Sequence, residues 1–317
     1  GDGIQECRNT WEHKKWNITD FPEFELAITI DRPELYYDFL QKDWTRFCHD
    51  YWKNNFLEHH TLSQKRVTRI YIGNQFCHNL FPKKKLLFQV LEKALENNLA
   101  VTLAFSYIRN HLLEEIDELL QELEVWCQSR EKEAGKDQEE IIVNDWAMPI
   151  LLQGKPHLKP VLGVLLNKRR KDVRLPYKHG IGNHVDSLAE NNLNCGFYQD
   201  YLKNTFDIQR FEFESCGYKV TIPDGHHSLH LPFFQTNTSQ YCTLYAVCRY
   251  GDREKQKLPE NCPKYCEQKV FLYPKHLKMV GRYNSLFGYD EKILWDEKQL
   301  QDYLEQGIDR IVVNVSL

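Results

Sequence analysis

No apolar run in this chain approaches the roughly 18–20 residues needed to span a bilayer as a helix. No Gly-X-Gly-X-X-Gly stands between a strand and a helix, and no Gly-Lys-Ser/Thr occurs, so the usual signatures of a nucleotide-binding open sheet are missing. The Gly-X-Ser-X-Gly elbow of serine hydrolases is absent, as is the His-Glu-X-X-His spacing of zinc hydrolases. Positive charge is also scarce for a nucleic-acid binder: 41 Lys and Arg against 45 Asp and Glu leave a formal net charge of −4. A general binder of nucleic acid needs a broad basic face, so nucleic acid is not an expected partner. The first residues, Gly1-Asp2-Gly3-Ile4-Gln5-Glu6, do not read as a secretory signal, although a chain without an initial Met is compatible with processing.

Cysteine, by contrast, is plentiful. Of ten cysteines, four fall in one stretch, Cys242 and Cys248 followed by Asn-Cys262-Pro-Lys-Tyr-Cys266, and Cys77 stands far upstream at the end of a strand-like run. Thiolates this dense bridge to each other, hold zinc, or hold an iron–sulfur cluster. Disulfide scaffolds are usually short chains that cannot build a core, whereas 42% of these 317 residues are hydrophobic. Three Asn-X-Ser/Thr sequons (Asn17, Asn237 and Asn314) are few enough to arise by chance. The expectation is a reduced, cytoplasmic protein. Two histidine groups, His179-Gly-Ile-Gly-Asn-His184 and Asp224-Gly-His226-His227-Ser-Leu-His230, lack metal-ligand helix spacing, and the second reads as exposed beside an Asp-Gly turn.

Strand-length apolar runs alternate with segments of helical period. Strands are expected at 24–30, 67–73, 100–105, 141–143 and 160–166. Helices are expected from Pro33 (Tyr36, Leu40, Trp44, Phe47 and Tyr51 on one face), from Pro82, and over Leu112 to Trp126. The stretch 132–140 reads as an exposed charged connection. Beyond Asp207 the strand-like runs are 210–214, 229–234 and 269–273, and a helix (294–306) and a strand (308–315) close the chain. About eight strand–helix units imply an α/β fold of the (β/α)8 TIM-barrel type, in one domain over 24–317 behind an N-terminal extension, 1–23. The last strand has no helix after it. Its cover would be the first helix, the N-terminal segment with Trp11, Trp16 and Phe21, or a partner chain or second copy.

In such barrels the C-terminal strand ends form the active face. Cys77 lies there, as do Asn144-Asp145-Trp146 and the basic run Asn167-Lys168-Arg169-Arg170-Lys171-Asp172-Val173-Arg174. Asp145 reads either as a general base or as a cap on the next segment. The basic run, with Lys168 and Arg170, reads either as a solvated loop or as a grip on an anionic small molecule, with Asn144 and Asn167 beside it.

Four landmarks in order, Tyr71-Ile-Gly-Asn-Gln-Phe-Cys77, the strand ends Val143-Asn-Asp-Trp146 and Leu165-Leu-Asn-Lys168, Thr236 to Cys242 with Cys262-Pro-Lys-Tyr-Cys266, and Val270-Phe-Leu-Tyr273 with Met279-Val-Gly281, resemble the collagenase-like peptidases, peptidase family U32. The likeness is nearest to the oxygen-independent ubiquinone-biosynthesis branch. This resemblance implies a barrel and a [4Fe–4S] cluster on Cys77, Cys242, Cys262 and Cys266, with zinc as the alternative metal and Cys248 as an extra thiol that departs from the pattern. It implies an iron–sulfur oxidoreductase or hydroxylase, or a subunit of one, working in a heterodimer of the same family on a small or aromatic substrate. A non-catalytic partner subunit with a structural metal, and a peptidase, are the competing readings.

Overall fold

A computed structural model of the chain describes residues 8–17, 22–134, 138–175, 188–259 and 261–315. Cys7, Phe21, His179 and His184 lie outside the described residues. Eight parallel strands form one sheet: β1 (Glu25–Ile30), β2 (Arg69–Gly73), β3 (Ala100–Ala104), β4 (Glu139–Val143), β5 (Leu158–Leu162), β6 (Glu212–Glu214), β7 (His227–Leu231) and, last in the chain, β12 (Ile308–Val313). Their order is β5-β4-β3-β2-β1-β12-β7-β6. A parallel bridge from Leu162 to Phe211 brings the two edges together and nearly closes a barrel of the (β/α)8 type.

Period-two alternation explains why these runs are buried on both faces. Leu26, Ile28, Ile70, Ile72, Leu103, Ile141, Ile311 and Val313 point outward into the main core beneath the helices. Ala27, Tyr71, Ala104, Ile142, Val161 and Val312 form a second, separate cluster inside the barrel. The outer layer is built from α1 (Pro33–Gln41), α2 (Trp44–Asn54), α3 (Thr61–Gln64), α4 (Lys84–Glu96), α5 (Leu113–Ala134), α6 (Ala147–Leu151) and α7 (Gly196–Phe206).

Between β7 and β12 the chain makes a long excursion. The strands β8 (Phe233–Thr238), β9 (Phe271–Leu272), β10 (Met279–Arg282) and β11 (Ser285–Tyr289) pair antiparallel in the order β8-β11-β10-β9, and α8 (Thr243–Tyr250) lies between β8 and β9. Phe287 of this small sheet packs edge-on against Phe76 after β2, ring centroids 4.9 Å apart. The small sheet therefore stands over the C-terminal end of the barrel. A final helix, α9 (Glu297–Glu305), leads into β12.

Several expected boundaries move. The helix from Pro33 breaks at Lys42, because Asp43 starts a new helix by accepting from Arg46 N at 2.9 Å. The run 229–234 is two strands in two sheets, separated by the cis bond Leu231–Pro232. The strand expected over 160–166 ends at Leu162, and 294–306 narrows to a helix over Glu297–Glu305 behind a short 3-10 turn. The stretch 132–140 is not simply an exposed connection: Glu139 and Glu140 belong to β4 and are buried, with ion pairs to Arg130 and Arg310.

The last strand is covered by this chain itself. It pairs with β1 on one side and β7 on the other, and the Tyr51 hydroxyl of α2 donates to Val313 O at 3.1 Å. Trp11 packs on Phe233 and Tyr289, and Trp16 donates through Nε1 to Ile293 O at 2.9 Å. Both edges of the last strand are therefore paired among the described residues.

Candidate metal centre and barrel mouth

Four of the cysteines lie on segments that converge at the C-terminal end of the barrel. Cys77 follows β2 and is placed by Asn74, whose Oδ1 accepts from the backbone amides of Phe76 and Cys77, both at 2.9 Å. Cys242 is the N-cap of α8: its sulfur accepts from Tyr245 N at 3.3 Å and its thiol donates to Tyr283 O at 3.0 Å. A helix N-terminus favours the thiolate form at that position. Cys266 sits in a short 3-10 turn, buried, and its carbonyl accepts from Arg282 Nε at 3.0 Å. Cys262 lies in the loop before it, half-buried.

Electrostatics show that these thiols are neighbours. Burial pushes the Cys77 thiol up to about 12, and Cys242 and Cys262 repel its ionised form further. Burial raises Cys266 as well, with Cys77, Cys242 and Cys262 adding to it and the Arg282 guanidinium opposing. Cys242 is raised by burial, then by Cys262 and Cys248. Cys248, further along α8, is the weakest of the influences on Cys242.

Among the described residues no three His, Cys, Asp or Glu side chains come close enough to ligate one metal ion. A tetrahedral zinc with Zn–S bonds of about 2.3 Å would draw its sulfurs to roughly 3.8 Å from one another. An iron–sulfur cube places its own iron and sulfide between the cysteines and tolerates a wider set. Four thiols from separate segments are a donor set that either a [4Fe–4S] group or a zinc ion would accept.

Below the thiols, the barrel mouth is polar. Asp31 follows β1, Asn74 and Gln75 follow β2, and Glu214 and His230 end β6 and β7; all line a cavity of about 30 Å³. Tyr283 ties the two levels together, since its carbonyl accepts from Cys242 and its hydroxyl reaches Asp31 Oδ2 at 3.4 Å. On the outer side of the same loop a larger cavity of about 480 Å³ is lined by His78, Asn79, Phe81, Phe105, Tyr107 and Pro259. Burial, then Arg109 and His111, lower His78 to about 4.

The residues singled out at the strand ends take varied places. Asp145 accepts from Ala147 N at 2.8 Å and starts α6, which is the capping reading. Asn144 is buried and braces three segments: it donates to Phe105 O at 2.8 Å and Gln75 Oε1 at 3.2 Å and accepts from Leu165 N at 3.1 Å. Asn167 is buried and donates to Glu212 O at 3.1 Å. Lys168 and Arg170 are exposed, and their backbones hold neighbouring loops through Asn192 and Tyr218. Two basic side chains of that run turn inward to Glu214: Lys171 pairs with its carboxylate and Arg169 donates to its carbonyl. His230 and His227 are buried, not exposed beside a turn; His227 stacks on Phe211 at 4.7 Å.

Asp31, Glu212 and Glu214 were not singled out from the sequence; Lys171 stood within the basic run, and His230 within a histidine group read as exposed. Asp31 carried a usable signal, standing directly after the first strand. Charged residues at every second position of a strand, as in Glu212-Phe213-Glu214, carry a signal only once the barrel interior is known to be polar. Protein-family models, curated proteins and solved structures were all compared with the chain, and none matches.

Proposed function

We propose that this chain is an iron–sulfur protein whose [4Fe–4S] cluster, on Cys77, Cys242, Cys262 and Cys266, serves a small-molecule pocket at the barrel mouth. The observation that carries this reading is that the segments bearing those four thiols converge at the polar end of the barrel, near enough for the thiols to influence one another's ionisation. Asn74 both lines the mouth and positions Cys77. Such a group, when bound, supplies one-electron chemistry. The chain's own residues hold the substrate and manage its protons. The 480 Å³ cavity beside Cys77 has the size of a small-ligand site, with the stacked rings of Phe81 and Phe105 as an apolar wall and Lys83 as a cation for an anionic group. Together with the family resemblance, these features support oxygen-independent hydroxylation or a related modification, performed alone or as a subunit beside a chain of the same family. No helix among the described residues is long and apolar enough to cross a membrane.

A second reading has its own support: the thiols join the small antiparallel sheet to the β2 loop, as a structural staple would. Anaerobic purification followed by iron and acid-labile sulfide analysis tests the first reading. Brown protein with about four irons per chain is the expected result; colourless protein carrying zinc would favour the staple, and metal-free protein would remove both. Small-molecule binding that survives only in the iron-loaded form separates a serving cluster from a stapling one.

A further inference from the structure

His230 is absorbed by none of the roles above, yet it sits at the end of β7 inside the barrel, 3% exposed, with its ring on the 30 Å³ cavity. Glu212 of β6 bonds its Nε2. Glu212 is fully buried, which by itself favours the neutral acid, but His230 and Arg310 outweigh burial and keep its carboxyl below the ordinary range. An ionised carboxylate only accepts, so Nε2 carries the proton, and Nδ1 is the nitrogen left for chemistry. Tyr71 fixes the pair: its hydroxyl donates to Glu212 at 3.1 Å and its ring stands edge-on to the imidazole at 5.5 Å. A carboxylate that orients an imidazole in this manner is the arrangement of a general base.

Asp31 provides a second, independent observation. It lines the same cavity and is nine-tenths buried, and its Oδ1 has no hydrogen-bond partner among the described residues. Leaving a buried carboxylate oxygen unpaired costs the full desolvation penalty of that oxygen, so such groups mark places where a ligand or ordered water belongs. The other charged groups of the chamber are matched already. Glu214 is paired with Lys171 and accepts from Gln235 N at 2.7 Å, and Arg310 is held by Glu140 and Glu25. The cavity has room for at least one water molecule. Two acceptors lining one such space suit a group with two donor hydrogens.

We propose that this chamber is an acid–base site: it binds one water-sized group carrying two donor hydrogens, a water or the terminal amine of a substrate, between His230 and Asp31. Asp31 holds one hydrogen. His230 removes the other: the O–H or N–H bond breaks, its electron pair stays on oxygen or nitrogen, and the proton ends on Nδ1 of an imidazolium held by Glu212. The inference rests on the barrel mouth being a reactive pocket, and it is independent of which metal the thiols hold.

Full-length protein containing isotope-labelled histidine, with its iron content assayed in parallel, tests this by NMR. His230 is assigned from His230→Gln, or from its contacts with Tyr71 should that variant fail to fold. In the neutral imidazole the proton is expected on Nε2 with Nδ1 bare, and the isosteric Glu212→Gln should remove that preference. Ammonium chloride, a small multiple donor, should shift His230 saturably, whereas tetramethylammonium chloride, which has no donor hydrogen, should not. Asp31→Asn should weaken the ammonium response about tenfold. A proton on Nδ1 with Nε2 bare, equal responses to the two salts, or an unchanged response in Asp31→Asn would each overturn the proposal. Iron content reports on the cluster separately, so failure of either reading is visible without the other.

Discussion

Arg310 grips Glu140 through both ends of its guanidinium inside the barrel, Nη1 to Oε2 at 2.6 Å and Nη2 to Oε1 at 3.1 Å. The pair is buried and lies at the floor of the barrel interior, where Thr102 donates to Glu140 at 2.8 Å and Glu25 takes Arg310 Nε at 2.6 Å. TIM-barrel interiors are usually filled by branched apolar side chains. Here Glu25, Arg69, Glu140, Arg210 and Arg310 replace part of that filling, and each must be matched because a lone buried charge is costly.

Glu140→Gln should therefore destabilise the fold by roughly 3–5 kcal/mol, the cost of leaving a buried charge without its partner. Chemical denaturation of the two proteins at neutral pH measures it. Acid should reproduce the effect: burial opposes the Glu140 carboxylate, but Arg310 and Arg69 outweigh it and hold the carboxyl at about 2 instead of 4.5. A depressed carboxyl contributes stability that is complete above pH 4.5 and is lost as pH falls through 2, on the order of 3 kcal/mol in all. Glu140→Gln should flatten that part of the stability–pH curve.

Single Ala replacements of Cys77, Cys242, Cys262 and Cys266 should each abolish bound iron. Replacements of Cys48, Cys127, Cys195, Cys216 and Cys248 should retain it. Metal analysis after anaerobic purification is the measurement, and iron retained in the Cys242 variant but lost in the Cys248 variant would exchange those two thiols.

Within the basic run, burial separates neighbours. Lys171→Met should cost roughly 3–5 kcal/mol, since it removes one partner of a buried ion pair with Glu214. Arg170→Ala, at an exposed side chain, should change stability by no more than about 0.5 kcal/mol. Thermal unfolding of both variants compares them directly.

Gly73 ends β2 with φ +107°, and a Cβ there would stand 2.6 Å from Ala104 O. Gly73→Ala should cost on the order of 1–3 kcal/mol through backbone strain and overpacking. Because Asn74 to Cys77 follow immediately, the variant should also bind less iron than Gly163→Ala, whose clash falls on Asn144 in the neighbouring loop. Iron content and denaturation, measured together, check both halves.

The first five barrel strands were legible in the chain because each is a short apolar run buried on both faces, bounded by caps and turns. The thiols were legible by their density. β6 and β7 were harder, since Glu212, Glu214 and His230 point into a polar interior and mask the apolar signal. The small antiparallel sheet was legible only in fragments: the run 269–273 contains the two-residue β9, but β8 continues β7 in sequence while pairing in another sheet, and β10 and β11 gave no strand expectation.

Sequence by itself determined the barrel class and the unusual supply of cysteine, because burial periodicity and composition are local properties. Only the tertiary structure decided which neighbour turns inward. Lys171, not Lys168 or Arg170, meets Glu214; His230, not His226, enters the barrel; and Asp145 closes on its own helix. Adjacent residues of one run share composition and differ only in the direction of their side chains. Barrel closure sets that direction, through the pairing of strands far apart in the chain.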